Sequence, residues 1–214
     1  MTDYKYLLFD LDGALTLSHY GIYSSARYAL EKLGKRPPTD QQLGRIVGPP
    51  LFSWFHEIYG LEEQEAEKAV ELYREKYKAG GMYENKTQPY ALELLKNVKR
   101  AGYQTALATA KPKPFADAIA EKFGFLPYFD IAAVATFEKG SDKSFVVGEM
   151  LKRFGAKAEE CLMIGDRADD VLGARAHGVD TAAVRCGYAE KGELEQARAK
   201  YIFNDLKELN DFLV

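Results

Sequence analysis

Cysteine is scarce in this chain. Cys161 and Cys186 are the only two in 214 residues, and they lie far apart with no metal-type spacing. Cys161 opens an apolar run and reads as a buried thiol, so a reducing cytoplasm is the simplest compartment. No apolar run approaches the roughly 20 residues that a membrane span needs. The leading MTDYKY lacks the charge-then-apolar pattern of a signal peptide. Neither sign of charge dominates: the net charge is -3 and the pI about 5.7, which gives no general affinity for nucleic acid. Internal repeats and low-complexity tracts are also lacking. What remains, 47% hydrophobic and 29% charged, suits a globular protein with a real core, built as one domain plus an insertion or as two small domains.

The stretch Tyr6 to Leu15, YLLFDLDGAL, organises the rest. A short apolar run leads into Asp10 and Asp12 and then Gly13, the pattern of a buried strand that ends in a loop. Taken alone, it is also an ordinary acidic turn. From Thr16 to Gly80 the pattern turns helical: Ile22 to Leu33, a short helix capped by Thr39 or Asp40 and reaching Ile46, Leu51 to Tyr59, and Glu62 to Lys78. Trp54 and Phe55, with Tyr59, read as the core of this helical unit. From Pro89 onward, helices alternate with strands. Strands are expected at Gln104 to Thr109, Asp130 to Ala135, Cys161 to Gly165, Thr181 to Val184 and Tyr201 to Phe203. Helices are expected at Pro89 to Arg100, Pro112 to about Phe123, about Ser141 to Phe154 and Ala168 to His177, with a last one after the final strand that runs to Leu213. Such alternation implies an α/β fold with a parallel sheet covered on both faces, and the helical stretch then reads as an insertion after the first strand.

In an open parallel sheet, ligands bind beyond the carboxyl ends of the strands. Four places there carry chemistry. The first strand ends in Asp10 and Asp12, and the second in Thr109. The helix after the third carries Lys143. The fourth ends in Gly165-Asp166, with Asp170 four residues on. Singly, Thr109 and Asp166 read as helix caps and Lys143 as a surface lysine. Together they set four carboxylates, one hydroxyl and one ammonium along one sheet edge. Carboxylates repel at close range, so the cluster calls for a cation, and hard oxygen ligands favour Mg2+.

On these residues the chain resembles the haloacid dehalogenase superfamily, in the class with a helical C1 cap inserted after the first motif. It is most similar to phosphoglycolate phosphatase-like and 5'-nucleotidase-like members. The matching motifs are DLDGAL, the Thr109 strand end in ALATAKP, Lys143 in SDKSFVV, and GDRADD, and the likeness covers essentially the whole chain. One departure is Ala14, where the family usually has threonine. Another is Leu17-Ser18-His19, where many relatives carry an acidic residue.

The resemblance implies a Rossmann-like three-layer α/β/α core, residues 1–15 and 81–214, with a helical cap at 16–80. It implies a phosphomonoester hydrolase acting on a small phosphometabolite such as phosphoglycolate or a nucleotide. Asp10 would be the nucleophile and Asp12 the acid and base. Thr109 and the loop amides at Gly13 and Ala110 would hold the phosphoryl oxygens, and Lys143 would neutralise charge. Mg2+ would be held by Asp10, the Asp12 carbonyl and Asp166, with Asp170 either ligating it or orienting a ligand. Lys111 and Arg45 are substrate-binding candidates, with a solvated lysine and a surface arginine as the plain readings. His19 lies near the mouth of the expected site. His56 and His177 read as structural, and Asp169 points away from its neighbour Asp170. The expected protein is a monomer or homodimer without nucleic-acid or membrane partners. Two other readings stand beside this one. A sugar phosphomutase of the β-phosphoglucomutase type shares the fold and nucleophile. A receiver signalling module also joins paired acids, Thr, Lys and Mg2+, but lacks the helical insertion and the GDRADD stretch.

Overall fold

The computed structural model describes residues 3–137 and 142–214. The chain divides into two compact units, Met1–Leu17 with Thr87–Val214, and Ser18–Lys86.

The first unit is built on a five-stranded parallel sheet. Its strands are β1 (Tyr6–Phe9), β4 (Gln104–Leu107), β5 (Cys161–Gly165), β6 (Asp180–Val184) and β7 (Tyr201–Phe203), in the order β4-β1-β5-β6-β7. The parallel sheet expected from the alternating pattern is therefore present, with β1 at its interior. Phe9 is in register with Leu107 on one side and Ile164 on the other, so Asp10, Ala108 and Gly165 stand at one level at the carboxyl ends of their strands. β1 is buried on both faces, which is why it reads as a continuous apolar run rather than an alternating one.

Helices α5 (Ala91–Arg100), α6 (Lys113–Lys122), α7 (Lys143–Phe154), α8 (Ala168–Arg175), α9 (Glu193–Gln196) and α10 (Leu206–Leu213) complete this unit. On one face of the sheet, Leu8, Ala106 and Met163 pack with Val146, Val147 and Met150 of α7 and Ala174 of α8. Side chains alternate along a strand, so Leu7, Phe9, Leu162 and Ile164 take the other face. α5 packs against α10, which also meets β6 and β7. Cys161 is fully buried and its thiol is pushed up to about 12 by that burial, as an inert core cysteine should be.

One expected strand does not form. Asp130 to Ala135 makes a single bridge, Ile131 beside Ala106. The reason lies in Asp130. Its carboxylate accepts the Thr105 amide at 2.8 Å, the donor a neighbouring strand would need, and also holds Lys99 at 2.7 Å. The Thr105 amide is thus taken by a side chain, while the Leu107 amide donates to the Ile131 carbonyl at 3.0 Å, and the backbone pairing is confined to that one bridge. Ser141, the expected start of α7, lies outside the described residues; Asp142 caps the helix through the Phe145 amide.

The second unit is helical. It contains α1 (His19–Lys32), α2 (Asp40–Leu43), α3 (Leu51–Ser53) and α4 (Glu63–Ala79). α1 packs along α4. Thr39 caps α2 by accepting the Gln42 amide, with the Gln42 side chain returning to the Thr39 amide. Trp54 and Phe55 are fully buried, and the Trp54 indole donates to the Gln42 carbonyl at 2.8 Å. Here the α-helix expected over Leu51 to Tyr59 gives way to a π-helical turn at Trp54–Tyr59. Within this turn the Trp54 and Phe55 rings meet edge to face with their centroids 5.0 Å apart. Short strands β2 (Thr16–Leu17) and β3 (Lys86–Thr87) pair where the chain passes from one unit into the other.

Candidate active site

Asp10 is the first residue beyond β1, and its amide donates to the Ile164 carbonyl at 2.8 Å, which anchors it to the sheet edge. Lys143, in the first turn of α7, reaches back across that edge. Its Nζ lies 2.6 Å from Asp10 Oδ1 and 2.8 Å from Asp170 Oδ1, and donates to the Ala108 carbonyl at 3.1 Å. Burial works against the Lys143 charge, but Asp10 and Asp170 outweigh it and hold the ammonium well above its usual range.

Asp166 follows β5 directly and is completely buried. Its Oδ2 accepts the Tyr188 amide at 2.6 Å. Among the described residues its Oδ1 has no hydrogen-bond partner. Asp170, in the first turn of α8, accepts the Asp166 amide at 2.9 Å and the Arg167 amide at 3.0 Å. One ligand oxygen each from Asp10, Asp166 and Asp170 falls within 4.8 Å of the others. Burial, opposed by Lys143 and reinforced by Asp170 and Asp12, raises Asp10 to about 6. Burial and the charges of Asp170 and Asp10 push Asp166 up as well. Among the described residues, three buried carboxylates face a single ammonium. A divalent cation would balance them, and the unpartnered Asp166 oxygen is the kind of ligand it would take.

The glycines around Asp166 show how tightly it is enclosed. A Cβ on Gly13, whose φ is +94°, would come within 2.1 Å of Asp166 Oδ2, and so would one on Gly187. Gly13 is thus required twice, by its left-handed backbone and by the carboxylate packed on it.

The other expected positions divide. Asp12 is not one of the three acids that come together; Lys111 Nζ lies 2.8 Å from its Oδ2, and the Lys111 side chain is largely buried rather than solvated. The hydroxyl of Thr109 accepts the Lys111 amide at 3.2 Å, so the loop after β4 is turned by Thr109 itself while α6 is capped elsewhere, at Pro112. Ala110, between them, is half-buried and Ala14 fully buried. Asp169 is exposed on the outer side of α8. Arg45 is exposed and belongs to the helical unit. In that unit His19 lies against Tyr20 and Tyr23, and His56 Nδ1 is 2.8 Å from the Leu61 carbonyl. His177 Nε2 is 2.8 Å from the Ser144 carbonyl in the first unit.

Three residues join the site that the sequence did not single out. Gln88 is buried, and its Nε2 donates at 2.7 Å both to the Gly13 carbonyl and to the Cys186 carbonyl. Tyr188 contributes its backbone amide to Asp166. Glu193 Oε1 accepts from Arg167 Nε and from the Ala168 amide, each at 2.8 Å, and its Oε2 accepts the Glu190 amide at 2.8 Å. Burial disfavours the Glu193 charge, but these donors more than offset it and keep the carboxyl below its usual range. Gly187, a glycine three residues past the end of β6, is the sequence feature that could have marked this second loop.

The family model of haloacid dehalogenase-like hydrolases matches residues 7–184. The chain belongs to that family. It is 36% identical over 211 residues to a 5'-nucleotidase of Pseudomonas aeruginosa, covering 98% of this chain and 96% of that protein. The tyrosine-protein kinase PtkA of Mycobacterium tuberculosis is 39% identical over 184 residues, 85% of this chain but 62% of the kinase. Among solved structures, a predicted phosphatase from Clostridium acetobutylicum superposes with a TM-score of 0.91 at 37% identity, covering 98% of both chains.

Proposed function

We propose that this protein is an Mg2+-dependent phosphatase that hydrolyses a small phosphomonoester through an aspartyl phosphate on Asp10. The observation that carries the reading is the buried group of Asp10, Asp166 and Asp170 around the Lys143 ammonium. Phosphoryl transfer needs positioning and charge neutralisation above all, and these groups supply both. Asp10, Asp166 and Asp170, with the Asp12 carbonyl, would hold the Mg2+. Bound there, it would neutralise charge on the transferring phosphoryl oxygens.

The chain's own residues then act as follows. Lys143 keeps Asp10 ionised against its burial and against neighbouring acids. A carboxylate oxygen of Asp10 attacks phosphorus as the bond to the leaving oxygen breaks, and Asp12, which takes up a proton from solvent once Lys111 leaves it for the phosphate, gives that oxygen its proton. Asp12, now a carboxylate, takes a proton from water as the water oxygen attacks phosphorus, and the bond to Asp10 breaks with release of inorganic phosphate. Thr109 and the amides of the Gly13 and Ala110 loops bind the phosphoryl oxygens. Lys111 holds Asp12 when no substrate is present and turns to the phosphate when one arrives.

The helical unit, Ser18–Lys86, acts in this reading as a cap that selects the leaving group, with Arg45 as a contact for an anionic or polar substrate. The 5'-nucleotidase relative favours a nucleoside monophosphate over phosphoglycolate as the first substrate to try. Two free cysteines suit a reducing cytoplasm. The test is phosphate release from a panel of phosphometabolites with and without Mg2+. Release from at least one substrate, stopped by EDTA and restored by Mg2+, is the expected result. Full activity in chelated buffer would remove the metal from the reading. Conversion of a hexose monophosphate to its isomer without phosphate release would replace it by the mutase.

A further inference from the structure

Asp166 stands between two loops. One follows β5 and carries Asp166 through Asp170 into α8. The other follows β6 and presents the Tyr188 amide to Asp166 Oδ2 at 2.6 Å. Each loop returns to its own helix, so the sheet fixes only their roots. Glu193 ties them together. One of its oxygens takes Arg167 Nε and the Ala168 amide from the first loop, and the other takes the Glu190 amide from the second, each at 2.8 Å. Three donors on one carboxylate make a stiff brace, because charge-assisted bonds are the short and strong ones. Asp166 is neutral to none of this: its one bonded oxygen is held by the second loop, while its backbone belongs to the first. A change in loop separation would therefore turn its free oxygen.

We propose that Glu193 is a positioning residue for the cation site: by clasping the Asp166–Asp170 loop to the Gly187–Glu190 loop, it sets the orientation of Asp166 and so the affinity for Mg2+. The inference rests on the reading of Asp10, Asp166 and Asp170 as metal ligands. Partners bonded directly to a metal ligand are worth about 10- to 100-fold in metal affinity, and Glu193 acts one bond further out, so the lower end of that range is expected.

The variants are Glu193→Gln and Glu193→Ala, with Glu160→Gln as control. Glu160 pairs with Lys5 at 2.6 Å at the opposite end of β5. Glutamine keeps the size of Glu193 but must aim an amide NH2 at one of the two sets of donors, so it opens the clasp at one end. Mg2+ binding is measured by titration calorimetry on the folded, metal-free proteins, alongside melting temperature and phosphatase kinetics. Both Glu193 variants should bind Mg2+ about tenfold more weakly, and Glu160→Gln should bind as the parent does. Wild-type affinity in Glu193→Gln would overturn the inference, even if its melting temperature falls, since that would make Glu193 a merely structural link. If Glu193→Ala does not fold, Glu193→Gln and Arg167→Gln, which removes one donor, decide the matter by the same titration. Absence of Mg2+ binding in the parent protein would instead overturn the metal reading, and the Glu193 role with it.

Discussion

The two buried centres of this molecule are made of opposite materials. In the helical unit the interior is aromatic: Trp54, Phe55, Tyr73 and Tyr77, with Tyr73 and Tyr77 stacked at 5.4 Å. At the edge of the sheet it is ionic: Asp10, Asp166, Asp170 and Lys143. The first interior repays its own burial, because apolar area removed from water stabilises at about 25 cal/mol per Å². The second does not. Desolvated carboxylates repel one another, and the one ammonium compensates only in part. Where a protein keeps such a group, it holds a poised electrostatic field in place of stability, as active sites do. The comparison can be broken by changing one residue in each centre and asking whether turnover or stability is lost.

The largest effect is expected at Asp10. Asp10→Asn should lower kcat by roughly 10⁴-fold or more, as loss of a nucleophile does. Its melting temperature in EDTA should hold or rise, because one repelling charge is gone while Lys143 keeps Asp170. Steady-state phosphate release and a thermal melt check both parts; near-normal turnover would remove Asp10 as nucleophile.

Trp54→Ala should do the reverse. A fully buried tryptophan costs about 3–5 kcal/mol when truncated, and here the indole bond to the Gln42 carbonyl is lost too. Denaturant unfolding reads the loss. The first unit should keep its Mg2+ binding, since none of the proposed ligands lies in the helical unit.

Smaller still is the pH response of the metal-free protein. Burial raises Asp10 to about 6 from its ordinary value of about 3.9. A folded state that binds the proton more tightly than the unfolded chain loses stability as pH rises between those two values. In EDTA, this contribution should therefore be present below about pH 4, decline to about pH 6 and stay flat above. Adding Mg2+ at pH 7 should recover it. Melting curves from pH 4 to 8, with EDTA or Mg2+, give the answer; stability that rises through this window in EDTA and is indifferent to Mg2+ would contradict a repulsive acid cluster.

The smallest effect is assigned to Arg45→Ala. Arg45 is exposed, so stability should change by no more than about 0.5 kcal/mol. KM for the best substrate should rise several-fold with kcat nearly unchanged, because a contact made equally in ground and transition states acts on binding alone. Unchanged KM on both that substrate and para-nitrophenyl phosphate would make Arg45 a plain surface residue.

Much of the fold was legible because hydrophobic pattern and secondary-structure period agree. β1 and β5 are unbroken apolar runs, and Thr39 and Gly155 mark helix ends at α2 and α7. The same local logic failed at Asp130 to Ala135, where the run looks like a strand but Asp130 spends its carboxylate on the Thr105 amide. It failed again at Trp54, where the periodicity is helical but the winding is wider. In both places a contact distant in sequence overruled a local preference.

What the sequence determined by itself was the order of elements and which residue types stand at strand ends, because these depend on neighbours one to four positions away. That put Asp10, Thr109, Lys143 and Asp166 at one edge as soon as the strands were taken as parallel. Only the tertiary structure decided which atoms meet. It turned Asp12 toward Lys111, brought Asp170 to Lys143, and gave Asp166 the Tyr188 amide. It also set Gln88 and Glu193 as braces, bonding them to residues from 25 to 98 positions away in sequence. The physical reason is that a buried carboxylate is placed by whichever donors reach it once the sheet has closed, and those donors come from backbone amides and single side chains that carry no local pattern.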